Sequence, residues 1–137
     1  MVRPRYETEE DLKREWVAID AFCDHTNSTP IKLPIGARAD YMLYRQREAK
    51  AIVEVKCRKN PINAYPTYML SKSKYDALCD YSKMGFYSAL LVHWDDAIGY
   101  VPLPTEHELG SGGRWDRNDP KDVEPVVLID IAKFKLI

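Results

Sequence analysis

The chain lacks the features that would tie it to a membrane, a disulfide framework or a zinc site. It has no run of about 18 apolar residues, so no membrane span is expected. No apolar signal region follows Met1, because Val2-Arg3-Pro4-Arg5-Tyr6 leads straight into charged residues. Its three cysteines, Cys23, Cys57 and Cys79, are odd in number and widely spaced. They fit neither disulfides nor a zinc cluster, and a reducing cytosolic setting suits them best. The three histidines, His25, His93 and His107, have no metal-ligand spacing with one another or with cysteine. His93 falls in a predicted buried strand and reads as a core or rim residue. No Ser-His-Asp pattern, phosphate loop or zinc-finger signature is present. Internal repeats and low-complexity tails are missing too.

What remains is a chain of 137 residues, 45% hydrophobic and 30% charged. By size it is a single domain over residues 1–137 with enough apolar content for a core. Net charge is −1, but it is unevenly spread. From Arg38 to Lys74 there are nine Lys/Arg against three Asp/Glu, whereas the flanking segments are both acidic. A local positive excess is the sign expected beside a phosphate backbone, and equally of a solvated surface.

Thr8 followed by Asp11 predicts a capped helix running to about Asp24. Leu12, Trp16, Ile19, Phe22 and Cys23 form its apolar face, and Glu15 falls between Ile19 and Phe22 on that face. Residues 31–37 read as a short strand or extended entry. Tyr41–Tyr44 and Lys50–Cys57 read as strands joined by a polar turn. A loop follows, containing Asn60-Pro61 and Asn63. Ser71 caps a second helix with Tyr75, Leu78, Cys79 and Ser82 on one face, closed by Met84-Gly85. Ser88–Trp94 and Ala97–Leu103 form a hairpin. Residues 104–125, with three prolines and three glycines, read as a long loop, and 126–134 as a last strand. Two helices on one sheet make an α/β sandwich with a mixed sheet.

Alternation puts Glu54 and Lys56 on one face of their strand, with Val53, Val55 and Cys57 on the other. A hairpin centred near Arg47 sets Asp40 across from Glu54, and the two carboxylates then share one face. This requires an odd-numbered loop or a bulge. A tight two-residue turn at Arg47-Glu48 would turn them to opposite faces. Mg²⁺ takes oxygen ligands and keeps waters, so two carboxylates and a backbone carbonyl suffice to hold it. It polarises a phosphate and lowers the pKa of a bound water. A nearby ammonium can orient that water or offset charge in the transition state.

Asp40 with Glu54-Val55-Lys56 resembles the signature of the PD-(D/E)xK nuclease superfamily, with Ala39 where a proline often stands. Glu15 is similar to the upstream glutamate that many members place beside the metal. Ser71-Lys72-Ser73-Lys74 resembles the polar element of resolvase-like and phage-type members, with Lys74 the better match and Lys72 the alternative. The resemblance covers about residues 8–103 and implies a restriction-endonuclease-like α/β/α sandwich with a central mixed β-sheet. It also implies Mg²⁺- or Mn²⁺-dependent hydrolysis of duplex or branched DNA, in several members by a homodimer. In these roles Asp40, Glu54 and the Val55 carbonyl hold the metal and Glu15 assists. Lys56 positions water or stabilises the transition state, and Lys74 contacts the phosphate. The other reading is a non-catalytic nucleic-acid-binding or assembly subunit that retains the fold. Tyr65 and Tyr68 could stack on bases or fill the core. Gly110–Trp115 could be a clamp or a mobile insertion.

Overall fold

A computed structural model describes residues 8–113 and 123–137. Helix α1 (Glu9–Thr26) starts at the predicted box: Thr8 Oγ1 accepts the Asp11 N–H at 3.1 Å, and Asp11 Oδ2 accepts the Thr8 N–H at 3.3 Å. Asn27 ends it in the left-handed region (φ 54°), where asparagine is tolerated. The strands β1 (Thr29–Lys32), β2 (Tyr41–Arg45) and β3 (Glu48–Cys57) follow as an antiparallel meander. A 3-10 turn at Ile62–Ala64 and strand β4 (Thr67–Ser71) lead into α2 (Lys72–Lys83). Ser71 caps α2 by accepting the Lys74 N–H at 3.2 Å. The chain continues through β5 (Tyr87–His93), β6 (Ile98–Pro102), β7 (Glu108–Gly113), β8 (Val123–Asp130), a 3-10 turn at Ile131–Lys133 and β9 (Lys135–Leu136).

Six strands form the main sheet in the order β1-β2-β3-β5-β6-β9. It is mixed: β3 and β5 run parallel, as a crossover through α2 requires, and the other pairs are antiparallel. One face packs on α1, where Ala18, Ile19, Phe22 and Cys23 meet Tyr41, Val53, Val55, Ala89 and Leu91. On the other face Ile52, Leu90 and Val92 pack with Tyr75 and Leu78 of α2 and with Tyr68, Leu70, Val127 and Ile129. These last four belong to a second sheet of order β4-β8-β7. Among the described residues no helix is long and apolar enough to cross a membrane.

The α/β/α sandwich with a central mixed sheet is therefore present, with three corrections. First, the loop expected before Ser71 contains β4. Second, the loop expected at 104–125 contains β7 and the start of β8, so the α2 layer is partly a sheet. Its middle, with Arg114 and Trp115, lies outside the described residues. The expected strand at 126–134 is β8 to Asp130 and then a 3-10 turn. Third, Trp16 is not core: it is 52% exposed and sets its ring edge-on to Tyr41 at 6.0 Å. Small Ala18 takes the buried position instead, because α1 lies close on the sheet.

Candidate active site

The β2–β3 hairpin decides whether there is a site. Its turn is a tight two-residue one at Gln46-Arg47, with φ of 53° and 67°, the positive pair of a type I′ turn. Arg45 pairs with Glu48 and Tyr44 with Ala49. Carried on unbroken, this register would bring Asp40 opposite Val53. A bulge intervenes: Leu43 pairs with Ala51, leaving Lys50 as the extra residue. Beyond it Tyr41 pairs with Val53, and Asp40 stands just ahead of this last pair, at the entry to β2. The Asp40 N–H donates to the Val53 carbonyl at 3.2 Å.

Asp40 Oδ2 accepts the Val55 N–H at 2.8 Å, which fixes the carboxylate at the β3 edge. In an extended strand the N–H and C=O of one residue project to the same edge. The Val55 carbonyl therefore also points toward the Asp40 side.

Glu54 is only 4% exposed and faces the α2 layer. Lys56 Nζ lies 3.4 Å from its Oε2, and Lys74 Nζ lies 3.4 Å from its Oε1. The second contact is an ion pair without hydrogen-bond geometry, so buried Oε1 has no hydrogen-bond partner among the described residues. Burial, and next the Asp40 carboxylate, push the Glu54 carboxyl above its ordinary range. Lys56 and Lys74 pull it back. Together these groups set two carboxylates beside two ammoniums, a combination suited to a hard divalent ion and a phosphate oxygen.

Lys74 also donates to the Arg38 carbonyl at 2.9 Å, and the Arg38 guanidinium meets Asp80 Oδ2 at 3.2 Å. Thus α2 holds the segment that delivers Asp40. Lys72 turns to Asp76 at 2.8 Å instead. Glu15 is not gathered with Asp40 and Glu54. It is buried on the α1 face, ion-paired with Lys32 of β1, which pairs with Tyr41. Among the described residues no three of His, Cys, Asp and Glu cluster tightly enough to hold an ion by themselves.

Sequence reasoning missed Arg38, whose role is carried by its carbonyl and so has no residue-type signal. It also missed Arg58, which continues the Glu54-Lys56 alternation and stacks on Tyr68 with 4.9 Å from Cζ to the ring centroid. Tyr68 itself is core, as one of the two readings had it, and its buried hydroxyl has no partner among the described residues.

A meander feeding a parallel β3/β5 pair, with an aspartate at the entry to β2 and Glu-x-Lys on β3, is the arrangement of the PD-(D/E)xK nuclease fold. The model of the family described as "Phage putative PDDEXK endonuclease" matches residues 1–137, and the chain belongs to this family. Among solved structures it is similar to Hjc of Archaeoglobus fulgidus, a Holliday junction resolvase from an archaeal hyperthermophile. The two share 16% identity, the match covers 86% of this chain and 87% of that one, and the TM-score is 0.54. At this identity the likeness establishes the fold. The comparison with curated proteins gave no match.

Proposed function

We propose that the chain is a metal-dependent DNA endonuclease that hydrolyses phosphodiester bonds, with branched DNA among its substrates. The observation that carries the reading is Asp40, held on the Val55 N–H, beside a buried Glu54 that has an ammonium at each oxygen. The family supports an endonuclease, and the resolvase neighbour supports DNA, branched DNA included, as substrate.

The residues fit a hard divalent cation. Glu54 Oε1 is buried and short of a hydrogen-bond partner, and two like charges sit side by side. Both conditions are relieved by positive charge. Asp40, Glu54 and the Val55 carbonyl would hold Mg²⁺ or Mn²⁺, with Glu15 adding negative field from the α1 side. The bound ion would supply Lewis acidity toward the phosphate and a more acidic water.

Lys56, one-third exposed at its side chain, reaches from Glu54 toward solvent. It orients the attacking water and offsets charge that builds on the phosphate oxygens. Lys74 screens the Glu54 charge and presents a cation to the scissile phosphate or its neighbour. The free thiols Cys23, Cys57 and Cys79 suit a reducing cytoplasm. A homodimer completes the proposal, and light scattering tests it.

The direct test is cleavage of plasmid and branched DNA with Mg²⁺ or Mn²⁺. Wild type should release product and Lys56→Ala should lose at least about 100-fold in rate. Equal rates for the two proteins would remove Lys56 from the mechanism. Absence of wild-type cleavage, with DNA still bound, would favour a non-catalytic DNA-binding subunit.

A further inference from the structure

Tyr65 is 64% exposed, and among the described residues its ring has no aromatic partner. Tyr68, three residues on, is buried against Trp94 and Phe134. The two tyrosines of this loop have thus parted, one into the core and one into solvent.

The backbone around Tyr65 is fixed. Pro61 and Pro66 flank the segment, and the Ala64 N–H closes a turn onto the Pro61 carbonyl at 3.1 Å. Asp96 Oδ1 accepts the Ile62 N–H at 2.9 Å, and Asn60 accepts the Asp95 N–H at 3.2 Å. After Tyr65, the Pro66 carbonyl accepts the Ile131 N–H at 3.0 Å. An aromatic ring held out on a rigid loop loses little conformational entropy when it is covered.

The segment that carries Tyr65 is cationic, and its two ends, Lys56 and Lys74, both lie at Glu54. From Lys56 to Lys74 the chain has five Lys/Arg and no Asp or Glu. Lys56 and Arg58 alternate onto one face of the strand end, and Arg58 lies over the ring of Tyr68. Three residues span about 10 Å at most, so Tyr65 stands within that reach of Tyr68, the ring that Arg58 covers. The acidic residues packed on the loop are engaged: Asp96 with Ile62 N–H, and Asp95 with Arg14 at 3.6 Å.

We infer that Tyr65 is a base-stacking residue that makes the site select DNA with an unpaired or splayed base over continuous duplex. The ring face of any base can stack on it, so the selection is for structure rather than sequence. In a closed duplex the bases are already stacked and offer it no face. This deepens the proposed function and rests on it.

The test is metal-free binding, followed by fluorescence, of a continuous duplex and of a flap carrying 2-aminopurine at its branch point. Wild type should bind the flap about 10-fold tighter than duplex and quench the 2-aminopurine. Tyr65→Ala should lose most of that ratio and the quenching, and Tyr65→Trp should restore both. A ratio and quenching unchanged in Tyr65→Ala would overturn the stacking role, as would a wild type that binds both probes equally, while leaving the nuclease reading standing. A wild type that binds neither probe would overturn both.

Discussion

Asp40 is tied to Val55, the residue after Glu54: its Oδ2 accepts the Val55 N–H at 2.8 Å, and between this contact and the turn at Gln46-Arg47 strand β3 carries one extra residue, Lys50. The two-residue turn alone would set the carboxylates on opposite faces of the sheet. The bulge shifts the register by one, so that Tyr41 comes opposite Val53 and both side chains face α1. A single extra backbone residue some distance from the site thus sets which part of β3 Asp40 reaches.

Deleting Lys50 should restore the unbulged register near the turn. The prediction is a folded protein with native-like circular dichroism and no saturable Mn²⁺ binding in calorimetry. Lys50→Ala keeps the backbone count and should bind Mn²⁺ as wild type does. Equal Mn²⁺ affinity in the deletion would show that the bulge relocates without moving Asp40.

Glu54 titrates above the ordinary glutamate range because it is buried beside Asp40. The sign follows from which state holds the proton. The fold favours protonated Glu54, so its contribution is fully present below the unfolded value and is lost as pH rises through the raised one. Glu54→Gln should therefore stabilise the metal-free protein at neutral pH, by about 0.5–2 kcal/mol as in other sites built for function. Mn²⁺ needs the ionised carboxylate, so wild-type affinity should rise with pH across the same window. Thermal melts and calorimetry across pH check both, and a destabilised Glu54→Gln would mean that Lys56 and Lys74 outweigh burial.

Lys74 and Lys72 are two residues apart on α2 but differ in what they touch. Lys74 meets a buried carboxylate and the Arg38 carbonyl, while Lys72 meets exposed Asp76. Lys74→Ala should cost about 1–3 kcal/mol of stability, since it removes an ammonium from the buried Glu54 carboxylate. It should also slow cleavage. Lys72→Ala should stay within about 0.5 kcal/mol. Denaturant melts of the two variants side by side decide the matter.

Glu15 lies on the α1 side of the sheet, with Lys32 already at its carboxylate. Glu15→Gln is expected to weaken Mn²⁺ affinity by less than about 10-fold, the size of a modest coupling of about 1.4 kcal/mol. Asp40→Ala should abolish saturable binding. A Glu15→Gln protein as deficient as Asp40→Ala would make Glu15 a direct ligand.

Much of this was legible in the residues. The capping box at Thr8, the cap at Ser71 and the alternation through Glu54 and Lys56 depend on local chemistry, and each appears where expected. The need for a bulge could be derived from side-chain parity. Its position could not, because Lys50 carries no turn residue's signature and the bulge is set by the two packed faces of the hairpin. The second sheet was hidden for a related reason. Its β7 is rich in glycine, and Gly112 faces Met69 and Val126 so closely that a Cβ would stand 2.6 Å from the Met69 sulfur. Such a segment reads as loop until its neighbours are known. Glu15 was correctly read as facing inward, but a helical wheel does not say which face of the sheet the helix covers.

The measurement that tests the centre of the proposal is a crystal soaked in Mn²⁺ and read by anomalous scattering. One ion is predicted, bound by Asp40, Glu54 and the Val55 carbonyl, with Lys56 beside it and Lys74 moved off Glu54 Oε1 toward solvent. An ordered site with no anomalous density at millimolar Mn²⁺, or density that touches only one of the two carboxylates, would contradict it.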